Sequence, residues 1–297
     1  MEGDGDYFVK VTEADEVKFV RNTPACLAHM ADDLAAKHNV VTRAAFNALE
    51  MCYGLKYDPS AIIFNRSVRD MAALPDRLYW DWMHCLVASG GVAQYQCNSL
   101  LANLKSNGIS LKDLDDFARQ VTMPKTWERL KKTFFQDRFV NGADEHIKAF
   151  ASEMISAIAI LGIFLDAVIR PRGILREHVP CFDNLRSILN CLRLGDDVLP
   201  LVPRVNNLLR MHHEAFAALY PESYKPKLHF LKHCADCIQR FKVNLNCFAT
   251  ERKHKEAKGT GNFSYKNVPK AIMTRMRFEL GETYSKKAVF EPLGIGK

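Results

Sequence analysis

No uncharged apolar run in this sequence is long enough to cross a bilayer. The longest uncharged one, Met154 to Leu165, is closed by Glu153 and Asp166 and reads as a buried core helix. No glycine-rich dinucleotide fingerprint, P-loop, nucleophile elbow or zinc ribbon occurs, which sets aside the commonest nucleotide-binding, α/β-hydrolase and zinc-module chemistries. The opening MEGDGDYF is acidic and has neither the basic nor the apolar region of a secretory leader. The nine cysteines follow no disulfide framework, so reduced thiols in the nucleus or cytoplasm are expected. Repeats and low-complexity tracts are absent too.

What is present is an ordinary globular composition with an uneven charge. Of 297 residues, 48% are hydrophobic and 25% charged, enough for one large domain or two. The net charge is +7, but the first stretch is acidic (Glu2, Asp4, Asp6, Glu13, Asp15, Glu16) while the chain beyond Tyr224 is strongly basic. Such asymmetry points to a phosphate or nucleic-acid partner for the last third, against the plainer reading of a solvated basic face.

Local patterns predict a mainly α protein with a small N-terminal β portion. Residues 7–11 and 17–20 alternate as a β-hairpin. Thr23-Pro24 opens a helix to about His38, and Thr42 caps one ended by Gly54. Leu78 to His84 is aromatic and reads as strand-like or as a strand-to-helix junction. Beyond Gly90-Gly91 the reading is helical almost throughout. Helices are expected over about 92–107, after Ser110, from about Ala143 to Ile169 stopping before Pro171, over 181–194, 198–220 and 228–241, beyond Asn246, and after Pro269. Three regions follow: 1–90 with hairpin and helices, 91–223 as a helical block, and 224–297 as a basic helical region.

Three constellations could carry chemistry. Asp81-Trp-Met-His84 places an acid and an imidazole on one side of a helix or strand end, with Trp80 and Trp82 to exclude water. Its plainer reading is an aromatic core edge with Asp81 as a helix cap. Glu251-x-x-His254 repeats the spacing among cations, and is otherwise a surface helix with a Glu251–Lys255 pair. Converging carboxylates of this kind suit Mg²⁺ or Mn²⁺, and the histidines a softer metal. His229, His233 and Cys237 share a helix face, but Phe230 breaks the HExxH pattern and no second cysteine pair matches, so zinc is not expected. The pairs Asp32-Asp33, Asp115-Asp116 and Asp196-Asp197 fall at helix starts or exposed faces and are not site candidates.

Taken together, Gly54-Leu-Lys-Tyr-Asp-Pro through Arg69, the Trp80-Asp-Trp-Met-His block, and Lys225-Pro-Lys-Leu-His…His233 with Phe248-Ala-Thr-Glu-Arg-Lys-His-Lys resemble the C-terminal half of a CACTA-like DDE-type transposase. The resemblance covers about Gly54 to Lys258. It implies a partial RNase H-like core interrupted by a large all-helical insertion, with residues 224–297 completing the core. It also implies Asp81 as the second catalytic acid, Glu251 as the third, and His84 and His254 as accompanying metal-site imidazoles. Lys225, Lys227, Lys232, Arg252, Lys253, Lys255 and Lys258 would then hold DNA phosphates. Two divalent ions about 4 Å apart are what phosphodiester cleavage and strand transfer require.

A first acid in strand context is not found, since Asp4 and Asp6 precede the expected hairpin, and the usual DNA-binding region is not recognisable. The expectation is therefore a fragment or repurposed copy with an incomplete or inactive site. DNA is the expected partner, a membrane is not, and a homo-oligomer is left open. Two other readings stand beside it. One is a non-catalytic helical module binding nucleic acid or protein. The other is a dimetal helical-bundle oxidoreductase, for which Glu153 and Asp166 would be the nearest additional carboxylates.

Overall fold

Thr23 and Pro24 begin the first helix as their chemistry dictates. The threonine hydroxyl accepts a bond from the Cys26 N–H at 3.2 Å, and the proline occupies the first turn, where no donor is needed. The computed structural model describes residues 23–72, 77–125, 127–248, 260, 262 and 267–286, and the hairpin expected over 7–20 lies outside them. The chain divides into two compact units, Met1–Leu245 and Asn246–Lys297.

In the first unit, helix α1 (Pro24–Lys37) packs on α2 (Arg43–Tyr53), on a 3₁₀ turn at Ile62–Phe64 and on α3 (Arg66–Ala72). Leu27, Ala31, Leu34 and Phe46 bury the shared face. Asp32 receives the guanidinium groups of Arg66 and Arg69 at 2.9 and 3.1 Å, which join α3 to α1. Helix α2 ends where expected, because Gly54 takes a left-handed φ of 64° that a side chain would resist.

A π-helical turn at Met83–Val87 leads into α4 (Val92–Ser106), followed by α5 (Leu111–Ala118) and the short α6 (Phe134–Arg138). Ser110 caps α5 by accepting from the Asp113 N–H at 3.0 Å. The buried Asp115 carboxylate accepts from Phe135 N, Gln136 N and Gln136 Nε2 at 2.9, 3.2 and 2.9 Å, tying α6 to α5.

The long apolar helix α7 (Ala151–Phe164) starts later than the expected Ala143. Residues 141–150 are instead held in non-helical form by α4: Ile147 N–H donates to the Gln94 carbonyl at 3.3 Å, and Gln94 Nε2 donates to the Ala149 carbonyl at 2.6 Å. It also runs past Pro171 instead of stopping before it. Leu165–Ile169 widen into a π-helix, and this extra residue in the turn keeps the proline ring off the carbonyl four positions back, so the helix closes only at Gly173. The whole span Ala151–Arg172 is long and apolar enough to cross a membrane, yet 61% of its most apolar window is buried inside the protein. It packs on α4, on the π turn and on α8 (His178–Leu192), as a core helix does.

A 3₁₀ segment (Gly195–Leu201) connects α8 to α9 (Val202–Leu219), and α10 (Pro226–Phe241) packs on α9 and on the π turn. Between α4, α8 and α9 the core carries polar groups that satisfy one another. His212 Nε2–H donates to Gln96 Oε1 at 2.7 Å, and Gln96 Nε2 donates to the Cys181 sulfur at 3.2 Å. The second unit contributes α11 (Val268–Lys286), opened by Pro269 as expected. The fold is thus mainly α. Among the described residues there is no strand, so neither the N-terminal β portion nor the sheet of an RNase H-like core is found there.

Candidate functional site

Residues 78–81 form no strand or helix, in place of the strand-like reading, and lead into the π turn under the control of Asp81. Its carboxylate accepts from the N–H groups of Met83 (3.1 Å) and His84 (3.3 Å), which caps the turn. Trp82, Met83, Cys85, Leu86 and Val87 are all buried, so four side chains of the turn face the core and His84 alone projects outward. The chain then leaves through Gly90 and Gly91. A Cβ on Gly91 would lie 2.6 Å from the Leu86 carbonyl, so only glycine fits.

The cap and the histidine form a pair, with His84 Nδ1 bonded to the Asp81 carboxylate. The Asp81 side chain is 15% exposed and that of His84 46%, so the acid is shielded while the ring reaches solvent. Because Nδ1–H faces a carboxylate, the lone pair of the neutral ring resides on Nε2. This is the carboxylate–imidazole arrangement that orients histidine ligands and proton carriers.

Helix α10 supplies the wall behind the pair. Trp80 stacks on Phe230 with centroids 4.5 Å apart and planes 21° off parallel, and it also covers His233 at 5.7 Å. The Trp80 N–H donates to the Cys237 sulfur at 3.4 Å. Tyr79 donates to the Val243 carbonyl at 2.9 Å and accepts from Leu245 N at 3.0 Å, and burial pushes its phenol up to about 12. His229 and His233 bring their Nε2 atoms to 3.0 Å, so one ring donates to the other. The Cys234 thiol donates to the Phe230 carbonyl at 3.8 Å, and Cys85 and Cys234 are both free thiols. Their mutual interaction, helped by the Lys227 charge, lowers the Cys85 thiol pKa, and together with burial it raises that of Cys234.

Two constellations far apart in sequence, Trp80–His84 and His229–Cys237, are therefore packed against each other. The basic residues are placed unevenly. Lys227 Nζ donates to the Ser89 carbonyl at 2.7 Å, and burial lowers its pKa. Lys225 lies 3.8 Å from Asp144 and 5.6 Å from the Tyr95 ring centre, and Lys232 is half-buried. Glu251, Arg252, Lys253, His254, Lys255 and Lys258 lie outside the described residues.

The carboxylates named for the dimetal reading have other tasks. Glu153 accepts from the Phe150 N–H at the start of α7 (2.9 Å), and Asp166 pairs with Arg170 (3.0 Å) and Arg186 (2.9 Å). Asp166 belongs to a network with Arg170, Asp183 and Arg186 that joins α7 to α8 and is not among the constellations singled out from the sequence. The network's signals were the opposite charges at i,i+4 (Asp166, Arg170) and i,i+3 (Asp183, Arg186). Comparison of the chain with family models, with curated proteins and with solved structures finds no match.

Proposed function

We propose that this chain is a transposase-derived DNA-binding protein in which the Asp81–His84 pair is the described part of a divalent-cation site. The reading is supported by one observation above all: the acid-bearing Trp80–His84 block packs on the helix that begins the Lys225–His233 block. The resemblance expects those two blocks to serve a single site, with an RNase H-like core as the ancestral frame. Glu251 and His254 enter through the motif alone.

With its Nδ1 side held by Asp81, His84 offers Nε2 to an ion, a nitrogen donor that suits Mn²⁺ better than Mg²⁺ and covers part of a coordination shell. A bound ion would supply charge neutralisation at a phosphodiester. Asp81 orients the His84 ring through Nδ1 and, being shielded, stays fixed. His84, at the solvent boundary, can take a proton or a ligand on Nε2. The wall of Trp80 and Phe230 keeps water from the back of the pair. With no first acid identified, the reading is of DNA binding retained with cleavage incomplete.

DNA retention measured over a series of salt concentrations tests this directly. Log affinity should fall linearly with log salt, each phosphate contact contributing about 0.9 to the slope. A flat response would remove DNA as the partner.

Lys227 favours the second reading, a helical module that binds without metal, because its ammonium is committed to the Ser89 carbonyl. That reading expects retention independent of Mn²⁺.

A further inference from the structure

The outer groove between α7 and α8 is built differently from the Asp81 region. Ile155, Ile158 and Ile163 from α7 and Leu189 from α8 form its floor, around a cavity of about 320 Å³, near the lower end of the range for small-molecule sites. One end is shut by the arginine–aspartate network. Gly162 makes that closure possible, since a Cβ there would stand 2.4 Å from the Arg186 guanidinium as it crosses to Asp166. At the other end Trp127 and Arg193 form the mouth, with the guanidinium 4.2 Å from the indole centre. The tryptophan is anchored, because Ser156 Oγ of α7 donates to the neighbouring Glu128 carbonyl at 2.8 Å.

The two arginines differ in charge balance. Arg186 is neutralised by Asp166 at 2.9 Å and Asp183 at 3.3 Å. Arg193, although exposed, has no carboxylate in ion-pairing range among the described residues, and desolvation against Trp127 and its neighbours acts alone to lower its pKa. A cation held over an indole beside an apolar trough, with no anion of its own, is half of a recognition pair. Arg186 and Arg193, the latter the C-cap of α8, are two helical turns apart, about 10 Å at 1.5 Å per residue. That length suits an extended alkyl chain.

We propose that this groove binds a medium-chain aliphatic carboxylate, its chain along Ile155, Ile158 and Ile163 and its carboxylate on Arg193. A polyphosphate is disfavoured, because among the described lining residues the cation besides Arg193 is Arg186, already neutralised by Asp166 and Asp183. The site is separate from the Asp81–His84 pair and does not depend on the DNA reading.

The full chain titrated with decanoate below its micellar concentration, followed by calorimetry and by tryptophan emission, tests the proposal. The expected result is saturable binding at one per chain, with decanol of the same length binding at least tenfold more weakly. Arg193→Gln should bring decanoate down to the decanol level, and Ala159→Phe, which fills the groove, should abolish binding of both. Thermal melts of each variant establish that it is folded, and if either variant fails to fold, the wild-type decanoate-to-decanol ratio decides alone. Absence of saturable decanoate binding, equal binding of decanol, or unchanged decanoate binding by folded Arg193→Gln would overturn it. An acidic helical peptide that binds while decanoate does not would make the groove a protein-docking surface and would overturn it equally.

Discussion

Trp80 stacks on Phe230 at 4.5 Å, and this contact joins the segment bearing Asp81 to the helix bearing His229 and His233. Removing it should cost stability and loosen the site together. For Trp80→Ala we expect a loss of about 3 kcal/mol, at the low end for large aromatic truncations because the ring is half-buried. Chemical denaturation should show a lowered midpoint with an unchanged slope.

The neutral His212 at the centre of the core makes stability depend on pH. Burial depresses its pKa from 6.5 to about 3. The unfolded chain therefore takes up a proton below pH 6.5 that the folded chain refuses. Stability from this group is present in full above that pH and is lost as pH falls towards 3, by about 1.4 kcal/mol per pH unit. His146 and His178 are shifted the same way by burial, so the informative quantity is a difference. The stability of the wild type minus that of His212→Gln should decline over this window, as read by urea denaturation at stepped pH.

Asp115→Ala should be among the most destabilising single changes to a charged residue. It leaves the N–H groups of Phe135 and Gln136 without their acceptor in a buried setting, at a cost of about 3 kcal/mol. Asp115→Asn, which keeps one acceptor oxygen, should lose about half of that in the same denaturation experiment.

Lys227 and Arg252 should separate structural from phosphate-binding cations. Lys227→Met keeps the aliphatic stem and deletes the bond to Ser89, so it should lower the denaturation midpoint by about 1 kcal/mol of stability. It should leave the salt slope of DNA retention unchanged. Arg252→Ala should do the reverse, leaving stability intact and reducing that slope by about 1.

Local chemistry made much of the helical pattern legible. Thr23-Pro24, Thr42 with Gly54, and Ser110 act within their own turns, and each sits at the boundary expected of it. The start of α7 was not legible, because Gln94 of another helix holds residues 147–149. Its end was missed because a π segment makes room for Pro171. The same division applies to the site. The Asp81–His84 pair could be read from its spacing, since three residues suffice for a cap and its partner. Its packing on α10 could not, because stacking of Trp80 on Phe230 is a tertiary contact with no local signal. The Trp127–Arg193 mouth was missed for that reason too.

The most direct test of the metal-linked DNA reading is DNA retention with and without Mn²⁺ for the wild type and Asp81→Asn. Asparagine can still cap the π turn, so the variant should fold, and matched denaturation midpoints would establish this. The account predicts that Mn²⁺ tightens DNA binding by the wild type and leaves Asp81→Asn unaffected. An equal Mn²⁺-dependent gain in both proteins would contradict it.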